Sequence, residues 1–146
     1  MTSHSSYVDS CVLLSLLIGD SGYSAAEAWL GAREDKPLWI SHWVMLEIAG
    51  VLALGERRGE LDPQNAQVIR KTFKQFQQER LSLVEPRAPD FLQAQEWLLQ
   101  PNQLMLRSGD ALHLAIAKRH GLALCSADRA LVKAGVALGV PCELVG

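Results

Sequence analysis

Apolar residues in this chain recur in short blocks, and their spacing switches between strand-like and helix-like, with turn residues in between. Tyr7-Val8-Asp9 reads as the end of a short strand that enters the apolar run 11–18. That run alone fits a strand or a helix. Asp9-Ser10 ahead of it and Gly19 behind it supply a helix start and stop, so a short helix is expected. Residues 21–33 set Ala25, Ala26, Trp29 and Leu30 at helical spacing, with Ser24 and Glu27 as a candidate capping box. Pro37 opens a strand at Leu38-Trp39-Ile40, and Ser41 caps a helix over 42–58 whose apolar face includes Val44, Ile48, Val51 and Leu52. Asp62-Pro63 starts a more polar helix running to about Arg80, with proline in the first helical position.

The second half repeats this alternation. Leu81-Ser82-Leu83-Val84 alternates like a strand, 89–99 is helical, and Ser108 precedes a strongly apolar helix over 111–119 closed by Gly121. Leu122-Ala123-Leu124-Cys125 has the composition of a buried strand, 127–137 of a helix, and 140–145 of a last short strand. The stretch 99–106 follows no regular pattern. Strands alternating with helices of these lengths predict an α/β architecture around a mostly parallel sheet. In such sheets ligands bind beyond the carboxyl ends of the strands, where the strand order reverses. Asp9 and Asp128 both follow predicted strands on that edge.

Composition narrows the picture without redirecting it. A chain of 146 residues, 49% of them apolar, is one ordinary domain with enough material for a core. Residues 1–6 carry no basic residue, and the apolar run 11–18 is too short for a membrane span, so a soluble, cytoplasmic protein is expected. Cys11, Cys125 and Cys142 are odd in number and widely spaced, which disfavours a disulfide framework or structural zinc. Cys11 and Cys125 are expected to act as small buried hydrophobes. The net charge of −2 argues weakly against a nucleic-acid partner. Setting four carboxylates aside as metal ligands leaves twelve acids against fourteen Lys and Arg, and the objection fades.

Four acids stand in apolar or tightly structured settings: Asp9, Glu47, Asp110 and Asp128. An ionised carboxylate is expensive to bury unless it is paired, hydrogen-bonded or bound to metal. Asp9, Asp110 and Asp128 each have an alternative reading as helix caps or first-turn acids. Glu47 caps nothing; in the middle of Trp43–Leu52 it is the only charge, which leaves an ion pair (Arg107 being one candidate partner), a solvent-facing stripe, or a ligand role. Carboxylates that converge repel one another unless a cation compensates, and Mg²⁺ or Mn²⁺ suits oxygen ligands.

Taken in order, the local contexts of these acids resemble the acidic motifs of PIN-domain ribonucleases, in particular VapC-like toxins of toxin–antitoxin pairs. Tyr7-Val8-Asp9-Ser10 is similar to the first motif, and Ile40-Ser41 followed by Met45-Leu46-Glu47-Ile48 to the second. Leu106-Arg107-Ser108-Gly109-Asp110-Ala111-Leu112-His113-Leu114-Ala115 is similar to the third and is the most specific stretch. Leu124-Cys125-Ser126-Ala127-Asp128-Arg129-Ala130-Leu131 is similar to the fourth, and the likeness spans 7–145. Cys11 departs from the pattern, standing where a polar residue is usual.

The resemblance implies a single PIN domain over 1–146 with a three-layer α/β/α fold and a short, mostly parallel central sheet. It implies that Asp9, Glu47, Asp110 and Asp128 bind Mg²⁺ or Mn²⁺ and hydrolyse RNA. Ser10 and Ser126 match hydroxyl positions that orient carboxylates or water, with ordinary capping as their alternative. Arg107 either contacts phosphate or holds Glu47 or Asp110, the structural role being favoured. His113, one turn after Asp110, is read as a packed core or interface residue and not as a base. Arg57, Arg58, Arg70, Lys71, Lys74, Lys118 and Arg119 are candidates to hold the RNA backbone. Expected partners are RNA, a small antitoxin and a second copy of the chain, with no membrane, and Trp29, Trp39, Trp43 and Trp97 are candidate interface residues. The alternatives are a non-catalytic PIN-like binding module and a solitary RNA-processing nuclease. A haloacid-dehalogenase-type phosphohydrolase is disfavoured, because Cys11 replaces the second acid of an Asp-x-Asp pair.

Overall fold

The computed structural model describes residues 4–101 and 104–146; part of the irregular stretch 99–106 therefore lies outside the described residues. Strand β1 (Ser6–Val8) leads into helix α1 (Ser10–Ile18), the helical state expected for the ambiguous apolar run, and Gly19 ends it in the left-handed conformation at φ 78°. Helix α2 (Tyr23–Gly31) follows, then β2 (Leu38–Ser41) and α3 (His42–Arg57). Ser41 caps α3 as its sequence predicts, accepting from the Val44 N–H. Next come α4 (Pro63–Arg80), β3 (Leu81–Val84), α5 (Ala88–Leu99), α6 (Ser108–Arg119), β4 (Ala123–Ser126), α7 (Arg129–Ala137) and β5 (Cys142–Leu144).

Among the described residues the five strands form one sheet in the order β3-β2-β1-β4-β5, and every neighbouring pair is parallel. Helices cover the sheet in a three-layer α/β/α arrangement. Tyr7, Val8, Ile40, Leu124 and Cys125 are completely buried, as strands covered on both faces require. The chain builds outward from β1 to β2 and β3, then returns to place β4 on the other side of β1. The strand order thus reverses between β1 and β4, where the Asp9 N–H bonds to the Cys125 carbonyl at 3.0 Å.

Three local expectations are corrected. The Ser24/Glu27 capping box does not form: α2 starts at Tyr23 after Gly22, and Glu27 instead accepts from the Tyr23 hydroxyl. Val51 is exposed, because the face of α3 turned to the core runs through Val44, Ile48 and Leu52 at strict four-residue spacing. Trp29 and Trp97 are buried, and Trp39 and Trp43 pack against the core from its edge, so the tryptophans serve the interior. The large apolar residues left exposed are others, among them Leu46, Phe91, Leu92, Leu99 and Met105. Among the described residues no helix is long and apolar enough to cross a membrane.

A candidate metal centre at the strand switch point

Asp9 is the residue immediately after β1 and the N-cap of α1, yet its carboxylate caps nothing. Only 6% exposed, it uses Oδ2 to accept from the Ser126 hydroxyl at 2.7 Å and the Cys11 thiol at 3.1 Å. The capping alternative is thereby excluded for Asp9. Ser126, at the end of β4, is fully buried and also accepts from the Asp128 N–H at 3.0 Å. Cys11 is half-buried, packing against the core while its thiol meets this cluster; burial first, and the Asp9 charge second, push that thiol up to about 12.

Glu47 reaches the same place from the second turn of α3. Its Oε1 accepts from the Ser10 hydroxyl at 3.1 Å and lies 2.5 Å from His113 Nε2. The ion pair with Arg107 entertained from sequence is absent among the described residues; Arg107 is exposed at the start of α6. Glu47 Oε2 faces Gly109, where a Cβ would come within 3.7 Å of it. A Cβ there would also meet the Trp43 ring at 3.1 Å, and the Trp43 indole N–H bonds to the Gly109 carbonyl at 3.2 Å. These contacts dock the start of α6 against α3 and bring Asp110 beside the cluster.

Asp110 occupies the first turn of α6. Burial, followed by the charges of Asp9, Asp128 and Glu47, raises its carboxyl above the usual range, with His113 pulling the other way. Asp128 differs from the rest. It is exposed, and its Oδ1 caps α7 by accepting from the Ala130 and Leu131 N–H groups at 3.0 and 3.2 Å. The capping reading therefore holds for Asp128, with Oδ2 left over.

The structure thus brings Asp9 and Glu47 into direct proximity, sets Asp110 in their field, and leaves Asp128 at the rim. The residue that sequence reasoning passed over is His113. Asp9, Glu47 and His113 offer ligand atoms all within 4.8 Å of one another. His113 is completely buried, as a core residue would be, but its ring carries polar contacts at both nitrogens: Nδ1 lies 2.8 Å from the Tyr7 hydroxyl and Nε2 meets Glu47. The available signal was its position one turn after Asp110, on the same helix face.

Among the described residues no Lys or Arg pairs with Asp9, Glu47, Asp110 or Asp128. Two of the cationic candidates are engaged elsewhere: Arg70 with Glu56, and Arg119 with the buried Asp90. Lys118 lies over the Trp97 ring. One buried and two half-buried carboxylates, mutually repelling and with no Lys or Arg paired to them, match the donor set a hard divalent cation takes.

A PIN-domain family profile matches residues 6–137. No curated protein sequence shows a significant match to the chain. Several solved structures share its fold. One is the sarcin–ricin-loop-cleaving toxin VapC20 of Mycobacterium tuberculosis, with TM-score 0.68 and 20% identity over 90% of this chain and 95% of that one. Another is VapBC2 of Rickettsia felis bound to a promoter DNA fragment, with TM-score 0.70 and 14% identity over 97% and 98%. FitAcB of Neisseria gonorrhoeae gives TM-score 0.69 and 20% identity over 94% and 95%.

Proposed function

Because the chain belongs to the PIN-domain family, we propose that it is a metal-dependent endoribonuclease, with Asp9, Glu47, Asp110 and Asp128 around Mg²⁺ or Mn²⁺, and that it is the toxin of a toxin–antitoxin pair. The observation that carries the reading is the pair of acids at the strand switch point, Asp9 buried and Glu47 half-buried, each with one oxygen free and no Lys or Arg beside them. Asp9 would hold the cation through Oδ1, since Oδ2 is occupied by Ser126 and Cys11, and Glu47 through Oε2, since Oε1 is occupied by Ser10 and His113. Asp110 adds a third carboxylate, and Asp128 contributes the oxygen not engaged in capping. A bound divalent cation supplies positive charge for phosphate oxygens and lowers the pKa of water.

The remaining work falls to this chain's own side chains. Ser126 and Ser10 fix the Asp9 and Glu47 carboxylates by donating to Oδ2 and Oε1, and so leave the other oxygen of each as the one that would hold the cation. Arg107 is exposed at the N-cap of α6 with no ion pair among the described residues, which supports a contact with an RNA phosphate over the structural role favoured from sequence. Arg57, Arg58, Lys71 and Lys74 are exposed and available to the backbone, without selecting sequence. An antitoxin partner is supported by a toxin–antitoxin complex from Klebsiella pneumoniae among the structural neighbours. A homodimer is supported by the exposed apolar residues Phe91, Leu92, Leu99 and Met105 at and after α5.

The test compares wild type with Asp9→Asn on total RNA, with Mg²⁺, Mn²⁺ or EDTA. Wild type cleaves with metal and stops in EDTA, while the variant is slower by about 100-fold or more, as loss of several kcal/mol of charge stabilisation demands. Equal cleavage by both proteins, or undiminished cleavage in EDTA, overturns the reading. Growth arrest on induction of wild type but not of Asp9→Asn tests the toxin role.

A further inference from the structure

The functional reading does not use Tyr7 or His113, yet Ser41, Tyr7, His113 and Oε1 of Glu47 form one continuous polar line. The Ser41 hydroxyl lies 2.6 Å from the Tyr7 hydroxyl, which lies 2.8 Å from His113 Nδ1, and His113 Nε2 lies 2.5 Å from Glu47 Oε1. Tyr7 and His113 come from β1 and α6, and Ser41 and Glu47 from the start and the second turn of α3. Ser41, Tyr7 and His113 are all fully buried, out of reach of bulk water.

We infer that His113 is a positioning residue for Glu47: the Ser41–Tyr7–His113 chain holds a proton on Nε2, ties down Oε1, and so leaves Oε2 as the oxygen turned toward the acid cluster. The direction follows from elementary rules. Two lone pairs do not face each other at 2.5 Å, so one proton lies between His113 Nε2 and Glu47 Oε1, and we assign it to the ring nitrogen, imidazole being the stronger base of the two group types. Nδ1 then accepts from the Tyr7 hydroxyl, and the Tyr7 oxygen accepts from Ser41. The Ser41 oxygen in turn accepts from the Val44 N–H, the α3 cap. Every member has its partner, and the same serine that starts α3 fixes the ring that aims the glutamate one turn further along that helix. His113 as a metal ligand in its own right requires a bare Nε2, which the contact with Glu47 disfavours. Asp9 Oδ1 lies 3.8 Å from Nε2, beyond hydrogen-bond reach, which keeps the ring's donor committed to Glu47.

This inference rests on the metal-centre reading above, and its test separates the two. In the full-length wild-type protein in EDTA, ¹⁵N shifts of the His113 ring report which nitrogen carries the proton. A protonated Nε2 is expected, and a bare Nε2 overturns the proposal whatever the metal does. Titration with Mn²⁺ then compares wild type with His113→Gln, which keeps an N–H for Glu47, and His113→Leu, which does not. The Leu variant is expected to bind Mn²⁺ about tenfold or more weakly, in line with the loss of an outer partner of a ligand, while Gln stays within about threefold of wild type by the same measure. Equal affinities in all three, or equal weakening in both variants, overturns the assignment. Should His113→Leu fail to fold, Tyr7→Phe decides: it removes only the hydroxyl that fixes the ring, and unchanged Mn²⁺ affinity overturns the chain. A wild type that binds no Mn²⁺ brings down the metal-centre reading, while the ring's protonation still decides whether His113 holds Glu47 as inferred.

Discussion

Ser126 shows most directly how a single hydroxyl serves this site. It donates to Asp9 Oδ2 and accepts from the Asp128 N–H, so one buried atom ties the acid after β1 to the backbone after β4. Ser126→Ala leaves Asp9 with the Cys11 thiol, a weaker donor, as the remaining partner of Oδ2. The expected outcome is RNA cleavage slowed by about 10- to 100-fold, with a loss of unfolding free energy near 1 kcal/mol for the lost hydrogen bond. Cleavage rates and urea denaturation on the same preparation check both numbers; an unchanged rate removes Ser126 from the machinery. At this scale the sequence marked four acids as candidates and was silent about how each is held. Asp9, Asp110 and Asp128 looked alike as caps, and only the fold separates them: the Asp9 carboxylate ignores its helix, while Asp128 Oδ1 binds its own.

At the level of elements, α5 and α6 are fastened by an ion pair of Arg119, a residue the sequence offered as a candidate for the RNA backbone. Arg119 donates through Nε and Nη2 to both oxygens of Asp90, at 2.6 and 2.9 Å, and through Nη2 to the Glu85 carbonyl at 3.0 Å. Asp90, 1% exposed, also accepts from the Arg87 N–H at the start of α5. Burial alone would raise the Asp90 carboxyl, but the Arg119 hydrogen bonds and the Arg87 N–H outweigh it and hold it below the ordinary range. A carboxyl lowered in the fold stabilises above its unfolded pKa, and that contribution is lost as pH falls through the folded value. Asp90→Asn is therefore expected to cost about 2 kcal/mol at pH 7, the deficit against wild type shrinking as pH is lowered through the carboxylate range. Urea midpoints at pH 7 and under acid conditions measure this; a deficit independent of pH contradicts the linkage.

Across the whole molecule, the acid cluster opposes stability through mutual repulsion. Asp110 has its carboxyl raised by burial and by the charges of Asp9, Asp128 and Glu47, so its ionised form at neutral pH opposes folding. A group raised in this way favours the folded state once protonated and disfavours it as pH rises through the folded value. In EDTA at pH 7, Asp110→Asn is thus expected to melt higher than wild type, by about 2–4 °C for each kcal/mol of repulsion removed. Saturating Mn²⁺ is expected to raise wild type, by about 2.7 kcal/mol at a hundredfold excess over Kd, and to raise the variant less. Thermal unfolding with and without metal reads the crossing; a variant less stable than wild type in EDTA would mean that Asp110 is held by partners rather than repelled.

Periodicity and turn chemistry along the chain were enough to determine the order of strands and helices, because they are local properties: Gly19, Ser41, Asp62-Pro63 and Gly121 mark ends that depend on a few neighbouring residues. The four acid positions were legible for a similar reason, since a charge within an apolar run stands out wherever the chain goes. The reversal of strand order between β1 and β4, the exposure of Val51, the commitment of Arg119 to Asp90, and the meeting of Tyr7 with Ser41 and His113 are contacts between residues far apart in sequence. No local pattern encodes which buried polar groups will face each other once three elements close around them. Only the packed fold decided that His113 is bound to Glu47, and with it which oxygen of that glutamate remains free.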